Sequence, residues 1–243
     1  MTGKNTNIIS QLKKDILLLQ GFKHISAGND INIGWGQIDD AFPNKTFPLG
    51  AVHEFLCSGS ENGASSSGFM AGLLAHLMKN KGVTAWISSA RTLFPPALKS
   101  FGIEPDRIIF VDLEKERDGT WAMEEALKCG ALTAVVGEIR DLNFTVSRRL
   151  QLAVEESQVT GFILRPNPRN LNTTACVSRW MITPIPSETE DNLPGIGFPR
   201  WKVELLKVRN GKPGSWQVEW RNDKFRHVSP IAAIFHKQQK KTG

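Results

Sequence analysis

Residues 51–68 read Ala-Val-His-Glu-Phe-Leu-Cys-Ser-Gly-Ser-Glu-Asn-Gly-Ala-Ser-Ser-Ser-Gly, and this stretch decides the fold. Ala51–Leu56 is a short strand. Cys57 to Gly68 is rich in glycine and serine, and the helical pattern Ser66–Asn80 follows, with Phe69, Met70, Leu73, Leu74 and Leu77 on one face. Strand, glycine-rich loop, helix is the setting of a phosphate-binding loop. Measured against G-x-x-x-x-G-K-[ST], the run Gly59, Ser60, Glu61, Asn62, Gly63, Ala64, Ser65, Ser66 is a degenerate version. Gly59 is kept, and so is the hydroxyl of Ser66, which would hold Mg²⁺. Ala64 replaces the second glycine and Ser65 the lysine. That lysine is the fixed cation at the β- and γ-phosphates. Without it, helix-start amides hold an anion only weakly. The competing reading of the same residues is a flexible Ser/Gly turn capping a helix.

Outward from this unit, strands and helices alternate. Strands are expected at Val83–Ser88, Arg107–Asp112, Leu132–Val136 and Val159–Leu164. Helices are expected at Pro95–Phe101, Thr120–Cys129 and Phe144–Gln158. Apolar strands separated by helices predict a parallel sheet covered on both faces. After residue 170 the alternation stops. Ala175–Ile182 is a strand, Thr183–Pro199 a Pro/Gly-rich loop, and Trp201–Arg209 with Ser215–Arg221 a hairpin around Asn210–Gly214. The predicted fold is α/β: a mostly parallel sheet flanked by helices and extended by an antiparallel hairpin.

Upstream, residues 8–20 carry Ile9, Leu12, Ile16 and Leu19 on one helical face, with Asn7 as N-cap and Gly21 as the stop. A polar loop through about residue 46 separates this helix from the rest. It docks either on its own core or on another subunit. The organisation is therefore 1–46 helix and linker, 47–226 core with hairpin, and 227–243 basic tail.

The chain has 243 residues and a formal charge of +6. The charge is uneven: residues 200–243 sum to +8, leaving −2 for the rest. Lys202, Lys207, Arg209, Lys212, Lys224 and Arg226 are the candidate DNA contacts; a solvated basic end is the alternative. Trp201, Trp216 and Trp220 could stack on bases, but their alternation favours packing of the hairpin on the sheet. Trp86, Trp121 and Trp180 read as core. Cys57, Cys129 and Cys176 form no CxxC, so neither a zinc site nor a disulfide framework is indicated, and buried thiols are expected. His53 and Glu54 are adjacent on a strand and point to opposite faces. The other histidines have no ligand spacing. Ile16–Leu19 is too short for a signal peptide or membrane span, so a cytoplasmic protein is expected.

Several stretches together resemble the ImuA family. They are Phe47–Phe55, Thr84–Ile87, Trp121–Leu127, Ala134–Glu138, Ser178–Trp180 and, most tellingly, Trp201–Trp216. The resemblance spans residues 47–226 and implies a RecA-like core. Against RecA itself the losses cluster in one site. Beyond the lysine, Ser88-Ser89-Ala90-Arg91 stands where a catalytic glutamate should follow the second strand. Glu138 is the nearest match to the metal-holding aspartate, one position late, and a pairing with Arg140 or Arg148 is the more ordinary reading. The DNA loops shrink to Arg140–Thr145 and Pro166–Thr174. Arg165-Pro166 replaces the γ-phosphate-sensing glutamine.

The resemblance implies a scaffold without ATP hydrolysis in error-prone repair: damage response, translesion synthesis and induced mutagenesis. Its implied partners are an ImuB-like Y-family polymerase homologue, an error-prone replicative-type DNA polymerase and RecA. Leu12, Ile16 and Leu19 are the candidate partner contacts. No cofactor is expected, though weak ATP/Mg²⁺ binding stays open, as does weak single-stranded DNA binding; no membrane is involved, and the protein would join the nucleoid during repair. The alternatives are an unorthodox ATPase that remodels repair complexes and a direct single-stranded-DNA binder.

Overall fold

The computed structural model describes residues 35–79, 82–188 and 197–228. The helix expected at 8–20, with Leu12, Ile16 and Leu19, and the tail beyond 228 lie outside the described residues. Among the described residues nine strands form one sheet: β1 (Val52–Cys57), β2 (Thr84–Ser88), β3 (Ile108–Asp112), β4 (Ala134–Glu138), β5 (Thr160–Pro166), β6 (Ser178–Ile185), β7 (Arg200–Val208), β8 (Gly214–Arg221) and β9 (Lys224–His227). Their order is β3-β2-β4-β5-β1-β6-β7-β8-β9. Pairings from β3 through β6 are parallel, and β6 to β9 is an antiparallel meander. The parallel core with an antiparallel extension is thus as expected.

Among the described residues three α-helices cover the sheet: α1 (Gly59–Leu77), α2 (Gly119–Leu127) and α3 (Phe144–Ser157). Strand alternation assigns the faces. Val52, Ala85, Val135 and Ile163 point toward α2 and α3 and pack with Met123, Leu127, Leu150 and Val154. Phe55, Trp86, Phe162 and Trp180 point the other way and are all buried. There α1 meets an aromatic cluster in which Phe69 lies 4.9 Å from Phe225 and 6.0 Å from Trp201 between ring centroids. Gly72 allows this approach. A Cβ there would sit 2.6 Å from the Phe225 ring and 2.9 Å from the Trp220 ring.

Several expectations are corrected. α1 begins at Gly59, not Ser66, so the glycine-rich run is helix rather than loop. Residues 35–46, expected as polar linker, hold two short 3₁₀ turns whose Trp35, Ile38 and Phe42 are buried. The Pro95–Phe101 segment is 3₁₀. β6 runs on to Ile185 through Pro184. β1 pairs only as far as Met181, so the missing N–H of Pro184 falls where β6 has a single neighbour. β9 was not anticipated. Asn222 and Asp223 both take positive φ, 52° and 55°, and make the two-residue turn that returns Phe225 to the core. Trp121 on α2 is 65% exposed and Cys129 is exposed, against the expectation that both are buried. Trp86, Trp180, Trp201 and Trp220 are buried as expected, while Trp216 is half-buried. No helix among the described residues is long and apolar enough to cross a membrane.

Candidate functional site

The carboxyl ends of the parallel strands are where an open α/β sheet presents its ligand cleft. Here β1 ends at Cys57, β4 at Glu138 and β5 at Pro166, around the start of α1. A cleft of about 800 Å³ opens between α1 and the segment Thr92–Phe101. One wall is the small-residue side of α1: Gly59, Ser60, Gly63, Ala64, Ser65, Ser67 and Gly68. The other wall is Leu93, Phe94, Leu98, Phe101 and Trp201.

The start of α1 is already occupied by protein. Asn167, in the left-handed region at φ 44°, donates its N–H to the Cys57 carbonyl at 2.8 Å. Its Oδ1 accepts from the Gly59 N–H at 2.8 Å. A side chain therefore takes the first amide that a phosphate would use. Ser65, at the lysine position, faces the cleft, whereas Ser66 is fully buried and off its wall. Glu61 is exposed in the first turn, and Asn62 beside it is half-buried. Burial pushes the Cys57 thiol up, so it is neutral at pH 7.

Glu138 does not pair with Arg140 or Arg148. Its Oε1 accepts from Trp86 Nε1 at 3.1 Å and its Oε2 from Ser88 Oγ at 2.7 Å. Arg140 sits 3.5 Å from Glu116 and Arg148 3.3 Å from Glu155. Ser88 Oγ in turn accepts from the N–H groups of Ala90 and Arg91 at 3.2 and 3.1 Å. The turn after β2 is thus folded around a serine hydroxyl. Among the described residues, no three His, Cys, Asp or Glu side chains group as a metal site would need.

Glu54 and His53 point to opposite sheet faces and go to different partners, as strand alternation requires. Glu54 is fully buried and accepts from Arg165 at 3.0 Å, from Arg179 at 2.9 Å and from the Thr174 hydroxyl. Periodicity could not show this cluster, because its members come from three strands and a loop. The loop after β5 is also strapped down by cations. Arg165 donates to Asn170 O at 3.0 Å, Arg179 to Asn172 O at 2.7 Å, Lys207 to Thr174 O at 2.9 Å and Arg209 to Ala175 O at 3.1 Å. Two candidate DNA contacts, Lys207 and Arg209, are therefore engaged with their own chain. A third, Lys202, pairs with Glu204 at 2.8 Å. Lys212, Lys224 and Arg226 are exposed.

His53 holds a polar chain through the core. Trp180 Nε1 donates to Ser178 Oγ at 2.6 Å, and Ser178 Oγ lies 2.7 Å from His53 Nδ1. His53 Nε2 donates to Pro48 O at 2.8 Å. A carbonyl can only accept, which fixes the proton on Nε2. Burial pulls the imidazole down to about 4.

No family model matches the chain. Protein ImuA of Caulobacter vibrioides (strain NA1000 / CB15N) is 34% identical over 219 residues, which cover 83% of this chain and 90% of that protein. The cell division inhibitor SulA of Photorhabdus laumondii is 30% identical over 111 residues, 44% of this chain and 63% of that protein. Among solved structures, a RadB recombinase superposes with a TM-score of 0.55 at 10% identity, covering 82% of this chain and all of its own. That likeness gives the fold: a RecA-like core carrying an antiparallel extension. Identity at this level across nearly the whole of both sequences leaves one assignment: the chain belongs to the ImuA family.

Proposed function

We propose that this protein is an accessory factor of DNA-damage tolerance, a RecA-fold scaffold that does not hydrolyse ATP. Its partners in this reading are an ImuB-like Y-family polymerase homologue, an error-prone replicative-type DNA polymerase and RecA. Together they would carry out translesion synthesis and induced mutagenesis at the nucleoid. The family membership supports the setting. The observation that carries the scaffold reading is the start of α1: Ser65 stands at the lysine position and Asn167 Oδ1 takes the Gly59 amide. Phosphoryl transfer depends on a fixed cation at the developing charge, and the described residues of the cleft wall supply none. The partial relative named an inhibitor, rather than an enzyme, is in keeping with a binding role. Leu12, Ile16 and Leu19 remain the proposed partner contacts.

The test is twofold. Phosphate release is measured with and without single-stranded DNA, and association with an ImuB-like polymerase homologue is measured by titration calorimetry. The expected result is association without hydrolysis. A DNA-stimulated turnover on the order of 0.1 per second or faster, abolished by Ser66→Ala, would establish the remodelling-ATPase reading instead.

A further inference from the structure

The cleft at the strand ends has the opposite electrostatic character from a nucleotide site. Among the described residues lining it there is no Lys, Arg or His, and the one carboxylate is Glu138. That carboxylate is presented as an acceptor. Trp86 and Ser88 each donate to one of its oxygens, and among the described residues no cation pairs with it. The Gly59 amide at the helix start is already taken by Asn167, which removes the nearest donor to an incoming anion. The far wall is Leu93, Phe94, Phe101 and Trp201. Phe94 stands at the lip with 67% of its surface in water. With Leu93, Phe101 and Trp201 beside it, this ring makes the lip continuous with the apolar wall of the cleft rather than an isolated exposed side chain. The facing wall of α1 is small residues, and apart from the adjacent backbone of its own helix nothing lies within 4 Å of the Cβ position of Gly63. Apolar walls with one acid on the floor fit a cation carried on an apolar body.

We propose that this cleft is a docking site for an apolar segment of a protein partner that presents one lysine or arginine, with the cation on Glu138 and the adjoining apolar side chain between α1 and Phe94. The proposal rests on the adapter reading above and adds a second contact surface to the one proposed there at Leu12, Ile16 and Leu19. The nucleotide cleft of the fold would then have become a peptide cleft: loss of the lysine removed the anion's counter-charge, and the retained acid selects a cation.

Three probes test the chemistry directly on the full chain, with ligand-observed NMR and Trp fluorescence as readouts. They are N-acetyl-phenylalanyl-lysine amide, its uncharged norleucine analogue, and ATP with Mg²⁺. The lysine probe is expected to bind about ten-fold tighter than the norleucine probe, and ATP not to compete with it. Glu138→Gln should erase that ten-fold preference. Gly63→Leu fills the cleft from a position with free space and gains helix propensity, so it should fold and lose both peptide probes. Equal binding of the two peptides, displacement by ATP, or unchanged binding in Gly63→Leu would overturn the proposal. The same two variants are then titrated with the ImuB-like polymerase homologue, where each should weaken association by at least about ten-fold. Full association by both variants would sink the cleft as the interface while the adapter reading stands. If the probes behave as expected but wild type does not bind the polymerase homologue, the adapter reading fails and the cleft's chemistry stands with a different partner.

Discussion

The guanidinium of Arg165 lies 3.0 Å from the carboxylate of Glu54, and neither side chain touches solvent. Arg179 and Thr174 complete the set around the same carboxylate. One acid thus ties β1 to β5, to β6 and to the loop between them. Removing the acid would leave Arg165 buried without a counter-charge. Breaking a buried pair from one side costs about 3–5 kcal/mol, more than the pair itself contributes. Glu54→Gln is therefore expected to lower the urea midpoint by a large fraction of total stability, with the loop after β5 becoming protease-sensitive. A loss under about 1 kcal/mol would mean that solvent reaches the cluster.

His53 gives the stability a pH dependence. Its folded value, about 4, lies below the ordinary 6.5 because burial disfavours the charged ring. The unfolded chain therefore binds the extra proton between these values, and stability rises with pH through that window. Above pH 6.5 the contribution is fully present. By pH 4 on the order of 3 kcal/mol should be gone. His76, lowered mainly by burial, acts in the same sense. Urea denaturation from pH 7.5 to 4 should show this slope, and His53→Gln should flatten it. An unchanged slope in the variant would assign the effect to His76.

Gly72 sets how closely α1 lies on the meander. An added methyl would press into the Phe225 and Trp220 rings at 2.6 and 2.9 Å. Gly72→Ala gains helix propensity, yet overpacking of this kind costs about 1–3 kcal/mol. The net expectation is destabilisation with a shift in Trp emission. Gly63→Ala, with open space at its Cβ, is expected to be neutral or stabilising. Denaturant midpoints of the two variants settle the contrast.

The basic residues divide by their partners. Lys207 and Arg209 hold backbone carbonyls at 2.9 and 3.1 Å, so Lys207→Ala and Arg209→Ala should reduce stability. Lys212, Lys224 and Arg226 are exposed, and their combined replacement by Ala should lower the salt slope of single-stranded DNA binding by about 2–3. Fluorescence anisotropy over a range of salt reads the slope. If Lys207→Ala changes the slope but not the stability, the strapped loop is itself a DNA contact.

Local pattern determined much of this protein. Apolar strands alternating with helices imposed the parallel sheet, and the alternation of Trp201, Val203 and Leu205 imposed the hairpin, because both are periodicities within single segments. The absence of lysine at position 65 and of a glutamate after β2 was equally plain. The start of α1 was misplaced because its serines and glycines are weak helix formers. Tertiary contact overrides that preference: Ser65, Ser66, Phe69 and Met70 are buried against the sheet. The Asn222-Asp223 pair is a local turn signal that marks the start of β9. The partners of Glu54, Glu138 and Lys207 could not be read from the chain at all. Glu54 and Arg165 are 111 positions apart in sequence, and only the order in which strands enter the sheet makes them neighbours. Charge in the sequence is a count; which charges face water, a carbonyl or one another is decided by the sheet.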